Sequence, residues 1–135
     1  MEIREFRVIL RARDFDRTSR FYGEILRLPQ LGSWDNESGR GVVYQAGPGL
    51  IEIRGRAPAE PGTYGEDEFD YQGPLHKMTL TLPVASAEGA YEELIFREKN
   101  IPGGLVERQD GKLAFETHDP DGVRIEFLQL NGAGD

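Results

Sequence analysis

The sequence has 135 residues, of which 38% are hydrophobic and 30% charged, and it carries a formal net charge of −8. This length suits a single compact domain, and the apolar runs are too short to cross a bilayer. Because cysteine is absent, disulfides, thiolate metal sites and cysteine nucleophiles are excluded, and the acidic charge balance argues against nucleic acid as a partner.

Residues 1–55 predict a first βαβββ module. Residues 6–12 alternate as a half-buried strand does, with Arg7 and Arg11 on the same face. Asp14 can cap the helix that follows, and this helix ends before the next proline. Three short strands then complete the module in the segments QLGSWDN, GRGVVYQ and GLIEIRG.

Residues 56–74 are rich in proline, glycine and acidic side chains. Such a composition is typical of a solvated linker, because it cannot bury much apolar surface. The alternative is a lid that closes over a ligand and is formed by Tyr64, Phe69 and Tyr71. Both interpretations predict that the segment connects two structured modules.

Residues 75–131 predict a second module with the same order of elements. The segment HKMTLTLPV alternates as a strand, and Ser86 can cap the helix after it. Three strands follow in GGLVERQ, GKLAFET and GVRIEFLQL, the last two joined by the turn HDPDG.

The two modules match each other along the chain. A shift of 70 positions places Arg7 on Lys77, and the strand glutamates Glu52 and Glu126 match at a shift of 74. A duplicated unit is the simplest account of this match. Since a four-stranded unit cannot bury its sheet face alone, we expect one α+β domain over residues 1–135, in which the modules curl around a shared cleft.

Two motifs carry a family resemblance. RDFDRTSRFYGEIL resembles the opening, and HDPDGVRIEF the closing strand, of the glyoxalase / bleomycin-resistance / extradiol dioxygenase superfamily, also called vicinal oxygen chelate proteins. The resemblance spans residues 5–130. It implies two βαβββ modules that form an incomplete barrel around a central cleft, commonly in a homodimer. It does not imply one reaction, because members include lyases, epimerases, dioxygenases, transferases and drug-sequestering proteins.

The resemblance also implies four cavity-facing positions that supply metal ligands in metal-using members, and these are Arg7, Glu52, Lys77 and Glu126 here. Arginine has no lone pair to donate, and a lysine beside two carboxylates stays protonated. We therefore predict no metal and no other cofactor, and an ion pair of Arg7 with Glu52 or Glu126 instead. This network either only plugs the cavity, or one of its carboxylates recognises a ligand or acts as a base.

The two histidines are the remaining candidates for a metal site. A one-residue shift in strand register would turn His76 inward, but it would also turn the apolar side of that strand away from its helix. His118 precedes the DPDG turn, where packing or exposure explains it. We expect a metal role for neither, although two carboxylate oxygens and one imidazole could hold a hard divalent ion.

Four further residues are candidates for ligand contacts. Trp34 could stack on a planar ligand, or it belongs to the core or to a dimer interface. Tyr44 and Phe115 occupy matching strands, so we expect them to form the cavity wall. Arg11 binds a carboxylate or phosphate if the cavity reaches it, and is otherwise a solvated charge.

Together these features predict a metal-free member of the superfamily that binds a small organic ligand in the cleft between its modules. The acidic chain suggests a cationic drug or metabolite as that ligand. The alternative is an enzyme, either a cofactor-free isomerase, epimerase or lyase with Glu52 or Glu126 as general base, or a metal lyase or dioxygenase with these two residues as ligands. A dimer-forming module without a ligand is the third interpretation. The N-terminal segment lacks the features of a signal peptide, so we expect a cytoplasmic homodimer that has a small molecule, and neither membrane nor nucleic acid, as its partner.

Overall fold

A computed structural model describes residues 1–56, 78–97, 99–108 and 110–130. The chain divides into two compact units, Met1–Tyr71 and Gln72–Asp135. Each unit contains one βαβββ module, so the predicted α+β class and the predicted order of elements are confirmed. The aromatic residues of the predicted lid, together with His76 and Lys77, lie outside the described residues. No helix in the described ranges is long and apolar enough to span a membrane.

The first unit is a four-stranded mixed sheet with one helical segment. Its elements are β1 (Arg7–Arg11), α1 (Phe15–Arg20), a π-helical turn (Phe21–Ile25), β2 (Gln30–Asn36), β3 (Gly39–Ala46) and β4 (Gly49–Gly55). The strands lie in the order β1-β4-β3-β2, in which β1 and β4 are parallel and the other neighbours antiparallel. The core lies between this sheet and the helical segment, because Ile51, Ile53 and Tyr22 are all buried there.

The predicted single helix of the first unit is an α-helix that widens into a π-helical turn. Asp14 caps it as predicted, since its side chain accepts a hydrogen bond from the Arg17 amide at 3.1 Å. The wide turn passes directly over a strand, because a Cβ atom added at Gly23 would lie 2.8 Å from the hydroxyl of Tyr44. Only glycine permits so close an approach at this position.

The second unit repeats this design. Its elements are β5 (Thr79–Val84), α2 (Ala87–Phe96), β6 (Val106–Glu107), β7 (Leu113–His118) and β8 (Arg124–Gln129). The strand order is β5-β8-β7-β6, with β5 and β8 parallel. Ser86 caps α2 as predicted, because its hydroxyl accepts from the Gly89 amide at 3.0 Å. The core includes the stacked rings of Phe115 and Phe127, with centroids 4.8 Å apart.

The strand register corrects the match between the two modules. Glu52 pairs with Ile9 across β4 and β1, and Glu126 pairs with Thr81 across β8 and β5. The first strands are therefore related by 72 positions and not by 70, so the residue equivalent to Arg7 is Thr79. The helix caps have the same spacing of 72. A shift of two residues preserves the alternation of a strand, and for this reason the apolar pattern could not reveal the error.

Candidate functional site

Glu52 lies near the middle of β4 and is the buried charged residue among the described residues of the first unit. Only 2% of its side chain is exposed. One carboxylate oxygen accepts a hydrogen bond from Arg7 Nη1 at 2.6 Å, and the other accepts from Arg54 Nε at 2.5 Å. The predicted ion pair of Arg7 with a glutamate is thus present, and its partner is Glu52. Both oxygens of this carboxylate are occupied by guanidinium donors.

These contacts set the charge state of Glu52. Burial alone would raise the pKa of this carboxyl, but the hydrogen bonds from Arg54 and Arg7 outweigh it and lower the pKa below the ordinary value of 4.5. Hydrogen bonds to Glu5 and then to Glu52 raise the pKa of Arg7 in turn. Near neutral pH, Glu52 is therefore an ionised carboxylate that is neutralised by two arginines of the chain.

Paired residues of adjacent strands share a face of the sheet, so the register assigns side chains to the two faces. One face is covered by α1. The opposite face carries Glu52 and its neighbours, and we call it the Glu52 face; it is defined by Arg7, Arg11, Trp34, Glu52 and Arg54. One row of paired residues crosses all four strands of this face. It consists of Trp34 in β2, Gly41 in β3, Arg54 in β4 and Arg11 in β1.

The Glu52 face is locally cationic. Arg7 and Arg54 share the single charge of Glu52, and Arg7 also pairs with Glu5 at 2.9 Å. Arg11 is exposed, lies on the same face as Arg7 as predicted, and makes no ion pair with any described residue. Among the residues that the structure describes, three guanidinium groups of this face therefore meet two carboxylates, which does not favour the cationic ligand that the net charge of the whole chain suggested.

Tyr44 lies on the other side of the sheet. It pairs with Ile51, one residue away from Glu52, and its hydroxyl donates to the Ser19 carbonyl in α1 at 2.9 Å. Burial under the helix, together with the charge of Glu24, raises the pKa of Tyr44. The expectation that Tyr44 forms a wall beside Glu52 is wrong, because alternation along β3 places Val43 on the Glu52 face and Tyr44 in the core.

Glu126 occupies the matching position in the second unit but has a different set of partners. It accepts hydrogen bonds from Arg108 Nη1 at 3.1 Å and from the Thr81 hydroxyl at 3.3 Å. Its side chain is 24% exposed, compared with 2% for Glu52. Within the described part of the chain, Glu126 therefore has one charged partner, and its side chain remains accessible to solvent.

A cavity of about 560 Å³ lies beside Glu126 in the second unit. Glu126, Arg108, Glu116 and His118 line it on the sheet side, and the loop of residues 99–104 lines another side. Phe115 also borders the cavity, while its ring packs edge-to-face on Tyr91 of α2 with centroids 5.5 Å apart. A cavity of this volume falls within the size range of small-molecule sites.

Comparison with known proteins identifies the family. A family model described as Glyoxalase/Bleomycin resistance protein/Dioxygenase superfamily matches residues 6–127. The chain belongs to this superfamily. The resemblance found in the two sequence motifs is thereby confirmed. No curated protein matches the sequence.

Several solved structures share the fold of this superfamily member. Lactoylglutathione lyase from Agrobacterium tumefaciens is 14% identical with a TM-score of 0.65, over 92% of this chain and 91% of that chain. A glyoxylase/bleomycin resistance protein/dioxygenase domain from Frankia sp. EAN1pec is 18% identical with a TM-score of 0.69, over 98% and 95%. A glyoxalase / bleomycin resistance protein from Catenulispora acidiphila is 16% identical with a TM-score of 0.66, over 94% and 98%. Such identities show a common fold and no common reaction.

Of the positions that the resemblance gives as metal ligands, the two in the first unit do not fit a metal ion. In the first unit these positions hold Arg7, which has no lone pair, and Glu52, whose oxygens both accept from arginine. In the second unit the register gives Thr79 and Glu126. Among the residues that the structure describes, no group of three or more histidine, aspartate or glutamate side chains could hold a metal. The role predicted for Lys77 stays a prediction, although the alignment that selected it was wrong by two residues.

Two arginines of this superfamily member were missed by the sequence analysis. Arg54 could have been found, because it follows Glu52 by two residues in a strand and must therefore lie on the same face. Arg108 gave no such signal. It follows the two-residue strand β6, which is much shorter than the predicted segment GGLVERQ, and its contact with Glu126 depends on the path of the connection that precedes β7.

Proposed function

We propose that this protein binds a small organic molecule without the help of a metal ion. The observation that carries the proposal is the buried carboxylate of Glu52, which is neutralised on both oxygens by Arg7 and Arg54. In metal-using members, as the resemblance implies, this glutamate gives its oxygens to the ion. Here a divalent cation would first have to displace two guanidinium groups, so the positive charge is already supplied by the chain.

Two features support binding over a purely structural role. A buried ion pair is not needed for stability, because apolar side chains of similar volume serve as well or better, yet the chain holds Glu52 and two arginines on one sheet face. The second unit also contains an open cavity of about 560 Å³ with charged groups in its lining, which is large enough for a small molecule. We propose a cytoplasmic homodimer as the working form. Light scattering on the purified protein tests its oligomeric state.

The test of metal independence measures ions and stability together. The purified protein is assayed for zinc, iron, manganese and nickel by elemental analysis, and then titrated with each ion by calorimetry. The proposal expects no stoichiometric metal and no rise in melting temperature, since binding to the native state would raise it through mass action. Stoichiometric binding that is lost in Glu52→Gln or in Glu126→Gln overturns the proposal. A thermal-shift screen of small organic molecules in the presence of a chelator should then yield stabilising compounds.

A second candidate function is an enzyme that uses Glu126 as a general base. The observation in its favour is that Glu126 lines the cavity and has one charged partner, Arg108, among the described residues. Glu52 is the poorer candidate, because its lowered pKa weakens it as a proton acceptor. Incubating the protein in heavy water with simple 2-hydroxyketones and following proton exchange by NMR separates the candidates. Exchange that is lost in Glu126→Gln and retained in Glu52→Gln would favour the enzyme, and no exchange would favour binding.

A further inference from the structure

We infer that the row of Trp34, Gly41, Arg54 and Arg11 recognises a planar aromatic molecule that carries a carboxylate. The aromatic ring would lie against the indole of Trp34, and the carboxylate would bind the guanidinium groups of Arg54 and Arg11. This inference rests on the proposed function, because it names the chemical class of the ligand, and it places that ligand on the Glu52 face and not in the cavity beside Glu126. It replaces the cationic ligand expected from net charge with an anionic one.

The geometry of the sheet brings an aromatic ring and two cations together. The four residues are in register on four adjacent strands. Adjacent strands are about 4.8 Å apart, so the row spans roughly 14 Å from β2 to β1. A ring with a carboxylate attached directly to it needs only one to two strand spacings, about 5–10 Å. The row is therefore long enough to contact both ends of such a molecule at once.

The missing side chain of Gly41 determines where the indole lies. A Cβ atom added at Gly41 would lie 2.0 Å from Cζ2 and 2.3 Å from Cη2 of Trp34. The six-membered part of the indole thus covers Gly41, which is the position next to Arg54 in the row. Trp34 remains partly exposed in this position. An exposed ring surface adjacent to a guanidinium group can take part in stacking and leaves the charge available for a neighbouring anion.

The two guanidinium groups of the row have donors to spare. Arg54 uses Nε for Glu52, and its two terminal nitrogens make no hydrogen bond with any residue in the described ranges. Arg11 makes no ion pair with a described residue at all. Arg7 holds the other oxygen of Glu52, so this carboxylate does not cancel the charge of the whole row. Planar guanidinium groups bind carboxylates with paired hydrogen bonds, which favours a carboxylate as the anionic group.

The single tryptophan of the chain allows a direct test, because Trp34 is the only one among 135 residues. Fluorescence excited selectively from tryptophan therefore reports on this row alone. We expect benzoate to change the emission of Trp34 in a saturable manner. Benzyl alcohol and benzylamine, which match it in shape and differ in charge, should bind at least about tenfold more weakly, the equivalent of one charge-assisted hydrogen bond.

Variants identify the cationic partner. Arg11→Gln should weaken benzoate binding about tenfold, since it removes one charge-assisted contact, and Arg11→Lys should restore part of the affinity. Arg124→Gln is the matched control, because it removes a half-exposed arginine from an ion pair with Glu116 in the other unit and should leave the titration unchanged. Equal binding of benzoate and benzylamine, or full affinity in Arg11→Gln, would overturn the inference.

A second test measures the electrostatic potential at Trp34 in the unaltered protein and therefore does not depend on whether a variant folds. Iodide and caesium quench tryptophan emission by collision, so their relative efficiency reports the local potential at Trp34. The net charge of −8 would enrich caesium near the average surface, whereas the arginine row should enrich iodide. Because iodide quenches indole more strongly than caesium even without a charged surface, the iodide-to-caesium ratio is compared with that of free N-acetyltryptophanamide. We expect the ratio for Trp34 to exceed that of the free compound at low ionic strength and the excess to fade with added salt. A ratio at or below that of the free compound would contradict the cationic row.

The outcomes separate the two proposals. Stoichiometric metal that depends on Glu52 overturns the proposed function whatever benzoate does. If a neutral or cationic aromatic compound binds in the presence of a chelator while benzoate does not, the proposed function stands and the inference about charge is wrong. Benzoate that raises the melting temperature without altering Trp34 emission would place the ligand elsewhere and would likewise refute the row as its site.

Discussion

The contacts of Glu52 predict a measurable energetic coupling between a buried carboxylate and an arginine. A double-mutant cycle measures this coupling. It compares Glu52→Gln, Arg54→Met and the double variant with the unaltered protein. Glu52→Gln leaves two guanidinium groups facing one neutral amide, and Arg54→Met removes one of the two donors. Because each single change leaves a charge less well paired, the double variant should lose less stability than the sum of the two single variants.

The structure sets the size of this coupling. Removing one partner of a fully buried ion pair typically costs about 3–5 kcal/mol, since the remaining charge is uncompensated. Here Arg54 is 44% exposed and Arg7 still contacts Glu52 in the variant, so water and a second arginine reduce the loss. We expect a coupling of about 1–2 kcal/mol, above the value of about 0.2–1 kcal/mol found for exposed ion pairs.

The second unit provides a matched control for this cycle. Arg124 and Glu116 lie on adjacent strands at 3.3 Å, and their side chains are 42% and 47% exposed. The cycle of Glu116→Gln and Arg124→Met should therefore give a coupling below about 0.5 kcal/mol. Urea unfolding followed by circular dichroism supplies the four free energies of each cycle. If the coupling of Glu52 with Arg54 is no larger than that of the control pair, the carboxylate is not neutralised as described.

Three further predictions follow from the same contacts. The pKa of Glu52 is lowered below 4.5 in the folded chain, so its stabilising effect is complete above about pH 4.5 and is lost as the pH falls through the folded pKa. In Glu52→Gln, the free energy of unfolding measured with urea should therefore fall less steeply at acidic pH. Gly41→Ala should lower the free energy of unfolding by about 1–3 kcal/mol and shift the emission of Trp34, because the new methyl group overlaps the indole. Gly32→Ala is the control, since its methyl group would meet no atom within 4 Å, and it should leave stability and emission nearly unchanged. Tyr44→Phe should lower the free energy of unfolding by about 0.5–1.5 kcal/mol, because it removes the hydrogen bond to α1, and it should leave benzoate binding intact. Weaker benzoate binding would show that Tyr44 contributes to the ligand site after all.

The sequence contained enough information to predict the modules and the first half of the charge network. Alternation placed Arg7 and Arg11 together, and the caps Asp14 and Ser86 begin the two helices as predicted. These signals are local, because a cap needs only the next turn and a strand face needs only a period of two. The positions implied by the resemblance predicted an ion pair of Arg7 with Glu52 or Glu126, and the structure selects Glu52.

The errors arose where a local pattern has more than one solution. The predicted spacing between the modules was wrong by two residues, because the alternation of apolar and polar residues in a strand is unchanged by a shift of two. Only the hydrogen bonding between β5 and β8 shows that Thr79, and not Lys77, is equivalent to Arg7. Tyr44 was placed on the wrong face because β3 contains the run VVY, whose apolar residues point to both sides. Only its pairing with Ile51 showed that the ring lies under α1.

The same distinction between local and global information explains why the expected ligand charge changed sign. Net charge sums the whole chain, but a bound molecule responds to charges within about 8–10 Å, since salt screens more distant ones. Within the Glu52 face, Arg7, Arg11 and Arg54 outnumber Glu5 and Glu52, although the chain as a whole carries −8. For the ligand proposed here, the arginines of this sheet face therefore matter more than the net charge of the whole chain. To predict the charge of a ligand from a sequence, one must therefore count the charges that share one sheet face. The strand register is needed to identify those residues.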